Sequence, residues 1–217
     1  MSKISAGIFA ASLVFLIVPQ GRAASVSICN GVAGNLVTNC GFEKGDFTGW
    51  TLSGNDVPGQ EGVLYGVEAG QDPVDSIFPN SGTSQAFFAD LVANATTLSQ
   101  TLSTTPGGQY SVALFLAEDT AATGTCNAVP CANEFTATLD GITIDNFTDV
   151  PVEGYTEYSG TVNVTDASSV LDITLGNDLG QFLLDDVIVA TPEPSAWQLA
   201  LGGMMFGSWA FRRKLFK

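Results

Sequence analysis

The stretch FLLDDVIVA at residues 182–190 sets two carboxylates, Asp185 and Asp186, inside an otherwise apolar run. Read as a strand, its side chains alternate between faces, so the two aspartates point opposite ways and one of them enters the core. An unpaired carboxylate in that position costs several kcal/mol or stays protonated. Proteins usually answer with a lysine or an arginine. Between residues 24 and 191 this chain has no arginine and one lysine, Lys44, against 21 acids, since of its 22 acidic residues only Glu193 lies outside that span. Three answers remain: backbone N–H donors, a raised pKa, or a bound cation. Calcium suits the third, because it takes hard oxygen ligands from carboxylates and backbone carbonyls.

The same inventory removes other chemistry. The chain has no histidine, which excludes Ser-His-Asp and Cys-His catalysis and histidine-ligated zinc. A carboxylate pair acting on glycosides is the one enzyme class left open. A formal charge of −20 on residues 24–191, from 21 acids and one base, repels phosphate, so no nucleic-acid partner is expected. Four cysteines, Cys29, Cys40, Cys126 and Cys131, allow three pairings. An oxidising compartment favours the two local ones, Cys29 with Cys40 and Cys126 with Cys131. The absence of histidine and of tight CxxC spacing argues against a metal reading.

The two ends of the chain bear on that compartment. Residues 1–23 have an early cation at Lys3, an apolar stretch over 8–18, then Pro19 and small residues around Arg22. This pattern predicts a signal peptide removed after about Ala23. At the other end, residues 195–211 form an apolar run of 17, about 25 Å as a helix, which falls within the range for a spanning segment. Trp197 and Trp209 sit near its ends, and Arg212, Arg213 and Lys214 follow, which places the cluster on the cytoplasmic side and the preceding domain outside. The triplet Pro192, Glu193, Pro194, the apolar run and the terminal cluster together resemble the PEP-CTERM sorting signal of exported bacterial proteins. The resemblance implies inner-membrane anchoring before processing, cleavage by an exosortase-type membrane peptidase, and then a place at the cell surface or outside the cell, among extracellular polysaccharide.

Between the ends, short alternating runs bounded by Gly, Asp, Asn and Pro predict strands near 35–40, 63–67, 85–91, 97–102, 110–117, 134–140, 142–145, 155–164, 170–175 and 182–190. Such a pattern makes the fold class all-β, an antiparallel β-sandwich spanning residues 24–190, flanked by the signal helix of 1–23 and a transmembrane helix in the 191–217 tail. Trp50 is expected in the core. Tyr155 and Tyr158, three apart in one strand, are expected on opposite faces, as are the neighbours Phe87 and Phe88. NLVTNCGFEKGDFTGW at 35–50, LSQTLSTTPGGQYSVALFLA at 98–117 and FLLDDVIVA resemble galactose-binding-like jelly rolls in the order expected of them. That resemblance implies carbohydrate binding without catalysis. It also implies a structural calcium between the GFE segment and the last strand, held by Glu43 and Asp186, with Asp185 beside them and backbone carbonyls near Gly41 and Lys44. Cys40 stands where those jelly rolls usually have glycine, in keeping with a bond to Cys29. A purely structural matrix protein and a carboxylate-based glycoside hydrolase are the alternatives.

Overall fold

The computed structural model describes residues 26–54, 65–72, 76–119, 125–126, 129–130, 132–150 and 153–192. A four-residue helix, α1 (Ile28–Gly31), precedes twelve strands. These are β1 (Thr51–Ser53), β2 (Tyr65–Ala69), β3 (Ser84–Phe88), β4 (Thr96–Ser103), β5 (Gln109–Glu118), β6 (Thr125–Cys126), β7 (Val129–Pro130), β8 (Asn133–Leu139), β9 (Ile142–Thr148), β10 (Glu153–Asn163), β11 (Ser168–Asn177) and β12 (Phe182–Ala190). They form two five-stranded sheets, β1-β4-β11-β8-β9 and β10-β5-β12-β3-β2, and a small β6-β7 ribbon. All pairings are antiparallel.

Alternation builds the sandwich. In β4, residues Thr96, Leu98, Gln100 and Leu102 are buried, while Thr97, Ser99, Thr101 and Ser103 face outward. β5 and β11 follow the same period. The inward sets meet in one core that includes Leu98, Leu114, Phe135, Leu171, Ile173 and Phe182, each at most 1 % exposed. Burying a side chain of this kind stabilises by roughly 1.5–3 kcal/mol. Tyr158 is buried in this core, against Phe135 and Phe147. Trp50 is buried as well, stacked near Phe42 with its indole N–H donating to the Asn39 carbonyl. Phe88 is buried and its neighbour Phe87 lies half-buried on the opposite face.

One turn is set by its sequence. Leu139 pairs with Ile142, leaving Asp140 and Gly141 as a two-residue connection with φ of 57° and 73°. Positive φ at both positions is what a right-twisting hairpin needs, and Asp-Gly supplies it at little cost.

The strand expected at 35–40 is absent. Residues 35–37 are irregular and 38–40 form a turn, tied to β12 by the Leu36 N–H, which donates to the Val189 carbonyl, and the Val187 N–H, which donates to the Cys40 carbonyl. Asn35 spends its side chain on the same junction, accepting from the Val37 and Val189 N–H groups. A strand would have needed those backbone groups for a ladder. The Cys29–Cys40 disulfide is present. Closing so short a loop is worth about 3 kcal/mol in a chain-entropy account.

Other expectations fall elsewhere. The Cys126–Cys131 pairing cannot be followed, because Cys131 lies outside the described residues. So do the signal peptide, Glu193, Pro194, the apolar run and Arg212, Arg213 and Lys214; Pro192 is described and exposed. No helix among the described residues is long and apolar enough to cross a membrane.

Candidate functional site

β12 pairs with β5 through Phe182–Asp185, and the register slips before Ile188 resumes it. At the slip Asp186 takes φ 47°. This left-handed conformation is uncommon outside glycine, though aspartate tolerates it better than most residues. The bulge overturns the alternation expected of the two aspartates. Both are 0 % exposed, and both reach the same residue, Ser81. An extra residue in one strand re-aims the side chains that follow it.

Donors compensate the charge. Asp186 accepts at Oδ1 from the Ser27 hydroxyl (2.8 Å) and the Cys29 N–H (3.3 Å), and at Oδ2 from Asn80 Nδ2 (2.9 Å) and the Ser81 hydroxyl (2.6 Å). Asp185 accepts from the Asp186 N–H at 2.7 Å and the Ser81 N–H at 3.1 Å. Burial, and then the charge of Asp186, push the Asp185 carboxyl up to about 8 against the pull of those two N–H groups; Glu43 adds to the rise. Of the answers open in the sequence, backbone donors and a raised pKa are both found here, and the fold adds one that sequence reasoning missed, the side-chain donors of Ser27, Asn80 and Ser81.

Glu43 joins the same corner from the turn after Phe42. It accepts from the Thr83 N–H (2.8 Å), the Thr83 hydroxyl (2.7 Å) and the Ser84 N–H (3.1 Å). Residues 80–84, reading NSGTS, thus feed all three carboxylates, and sequence reasoning missed them. The only signal was a run of small donors ahead of a strand. Gly82 is required here: at φ 66° a Cβ would stand 2.0 Å from Glu43 Oε1. Gly82→Ala is therefore expected to displace the Glu43 carboxylate and cost about 2 kcal/mol, from backbone strain and lost hydrogen bonds. A urea midpoint equal to that of the parent protein would contradict this. Every oxygen of the three carboxylates accepts at least one hydrogen bond, and no set of three or more His, Cys, Asp or Glu among the described residues is arranged to hold a metal ion.

A second polar group lies on the outer face of the β10-β5-β12-β3-β2 sheet. Gln85, 0 % exposed, donates to Glu68 Oε1 at 2.7 Å and accepts from the Tyr155 hydroxyl at 2.9 Å. Gln181 Nε2 donates to Asp72 Oδ2 at 2.6 Å. Burial raises the Glu68 carboxyl, and the neighbouring Asp72, hydrogen-bonded to it, adds to the effect. The Tyr155 phenol is pushed far up by burial and by the charges of Asp185, Glu68, Asp186 and Asp72, so the two groups share one field. Tyr155 and Tyr158 do fall on opposite faces. The alliance of Gln85 with Glu68 follows from the β2-β3 register, which the sequence does not state.

No protein-family model matches this sequence, and no curated protein matches it. Solved structures do match in fold. TmCBM61, solved in complex with beta-1,4-galactotriose, is 17% identical with a TM-score of 0.50, over 74% of this chain and 100% of that one. The CBM22-1 xylan-binding domain of Paenibacillus barcinonensis Xyn10C is 17% identical with a TM-score of 0.49, over 75% and 98%. The enzymatically active domain of bacteriophage CBA120 tailspike protein 4 is 18% identical with a TM-score of 0.47, and this chain spans 21% of it. At such identities the likeness to TmCBM61 concerns architecture: two antiparallel sheets in the jelly-roll arrangement of a carbohydrate-binding module.

Proposed function

We propose that this chain is an exported, non-catalytic protein of the cell surface or extracellular matrix that binds carbohydrate through its sandwich. The observation that carries the reading is the polar group around Tyr155, Gln85 and Glu68 on an outer sheet face, in a fold shared with a module that holds a neutral galactotriose. An aromatic ring beside amide and carboxylate groups is the chemistry that neutral sugars need. A body of net charge −20 disfavours acidic glycans. One observation favours the structural alternative: Gln85 and Asp72 are buried beneath the surface rather than open to a ligand. A glycan array with residues 24–190 separates the two. Retention on neutral β-linked polysaccharides, weakened several-fold by Tyr155→Phe, supports binding; retention on no glycan at all rejects it in favour of the structural reading.

The tail, residues 191–217, is proposed as a temporary anchor cut near Pro192–Pro194 by an exosortase-type peptidase. Intact-mass analysis of protein from the native host reads both termini, and recovery of the untrimmed chain alone would reject processing.

Calcium is the proposed cation for Glu43, Asp185 and Asp186. Both Asp185 oxygens and Glu43 Oε2 accept one hydrogen bond each and have room for a second partner, whereas both Asp186 oxygens and Glu43 Oε1 already accept two; carboxylate oxygens are the ligands a hard cation takes. The lack of a side chain at Gly41 lets Ser27 pack over Asp185, since a Cβ there would stand 2.4 Å from the Ser27 Oγ and 3.4 Å from Asp185 Oδ1. Convergence on one ion requires some of the donors in residues 80–84 to yield. With Asp185 held up to about 8, binding at pH 7 is expected to release a proton and raise the melting midpoint by several degrees. Identical melting in calcium and in chelator would contradict the proposal.

A further inference from the structure

Residues 26–31 cover the carboxylate corner, yet little apolar contact holds them there. Val26 is 77% exposed and Ile28 44%, and only Cys29 of α1 is buried. The helix has a single turn and no side-chain cap. What ties it down is polar: the Ser27 hydroxyl and the Cys29 N–H to Asp186 Oδ1, the Ile28 N–H to the Ser81 hydroxyl, and Asn35 Nδ2 to the Cys29 carbonyl. A few exchangeable hydrogen bonds do not by themselves offset the entropy of ordering six residues. The covalent link to Cys40 does the rest. Cys40 is itself fixed to the bulged strand, its carbonyl accepting from the Val187 N–H. Ser27 is the lid proper: its Oγ would stand 2.4 Å from a Cβ at Gly41, beside Asp185, while it donates to Asp186.

We propose that the Cys29–Cys40 disulfide is a redox-operated latch: oxidised, it clamps residues 26–31 over Asp186 and closes the carboxylate corner; reduced, it releases that segment and opens the corner to solvent. The reductant is a dithiol. Its first thiolate attacks one sulfur and expels the other as a thiolate. Its second thiolate then closes the reagent's own disulfide, leaving Cys29 and Cys40 as two thiols after protonation. Two electrons pass from the dithiol to the cystine. Both half-cystines are almost fully buried, and a cavity of about 150 Å³ lined by Cys29, Cys40, Asn30 and Asn35 gives a small thiol its approach.

The test uses the full chain. Carboxyls are labelled with a water-soluble carbodiimide and an amine, Asp186 is read by peptide mass spectrometry, and hydrogen exchange reports on β5 and β11. With the disulfide intact, Asp186 is expected to stay unlabelled. After reduction with dithiothreitol and alkylation, or in the Cys29→Ser, Cys40→Ser double variant, it is expected to label at least tenfold faster while β5 and β11 keep their protection. Unchanged labelling on reduction would overturn the latch. Loss of protection in β5 and β11 along with the labelling would overturn it too, since the bond would then be a staple for the whole sandwich.

Discussion

In chelator, raising the pH from 5 to 8 lowers the unfolding free energy of this protein, and Asp185→Asn removes most of that dependence. Asp185 is fully buried, and its carboxyl titrates near 8 in the folded chain against about 3.9 when unfolded. Between those values the folded state holds a proton that the unfolded state has already lost. Stability therefore falls as pH rises through the window; the contribution is fully present below about 4 and gone above about 8. At about 1.4 kcal/mol per pH unit, the ceiling is about 6 kcal/mol. Glu68 and Asp90 are also raised by burial and act with the same sign, so the variant keeps a shallow slope. Asparagine can accept from only one of the two N–H groups that now face the carboxylate, which lowers stability by about 1–3 kcal/mol at pH 5. The two curves then cross between pH 5 and 8. Urea midpoints at pH 5, 6.5 and 8 measure this, and a flat curve for the parent protein would sink the assignment.

Phe42→Ala is expected to be among the most damaging single truncations outside the strands. The ring is 0 % exposed and stands 6.0 Å from both Phe47 and Trp50. Phe47 in turn lies against Tyr65 and Phe88 of the second sheet, so Phe42 begins an aromatic chain from the first loop into the sandwich. Its removal should cost about 3–5 kcal/mol, the usual range for a buried phenylalanine. For a domain of this size that is a fall of about 10 °C in melting midpoint. Because Glu43 follows directly in the chain, the carboxylate corner should loosen with it, visible as faster exchange at the Thr83 and Ser84 amides. A midpoint loss under 3 °C would show that the loop repacks without the ring.

Much of the sandwich is legible from alternation alone. β4, β5, β8 and β11 carry their inward and outward sets at period two, and the Asp140–Gly141 pair marks its hairpin outright. The disulfide between Cys29 and Cys40 and the burial of Trp50 were equally readable. The site was readable in composition but not in geometry. Two adjacent aspartates in an apolar strand announced a problem of charge, and alternation then gave the wrong directions, because nothing local marks Asp186 as the residue that leaves the β region. The donors that solve the problem lie 104 to 159 positions away in the chain, at Ser81 and Ser27, so no window of sequence contains both halves. The segment 35–40 reads as a strand and is not one for a related reason: Asn35 and Cys40 bond to β12 rather than to a ladder of their own.

The short run NSGTS at 80–84 serves partners from both ends of the domain: Glu43 upstream, and Asp185 and Asp186 downstream. A ribosome delivers the downstream partners last. Until β12 emerges, the run has no acceptors from that strand and the second sheet lacks the strand between β5 and β3. Contacts of such sequence separation close slowly and late. Locking of this corner thus waits for β12.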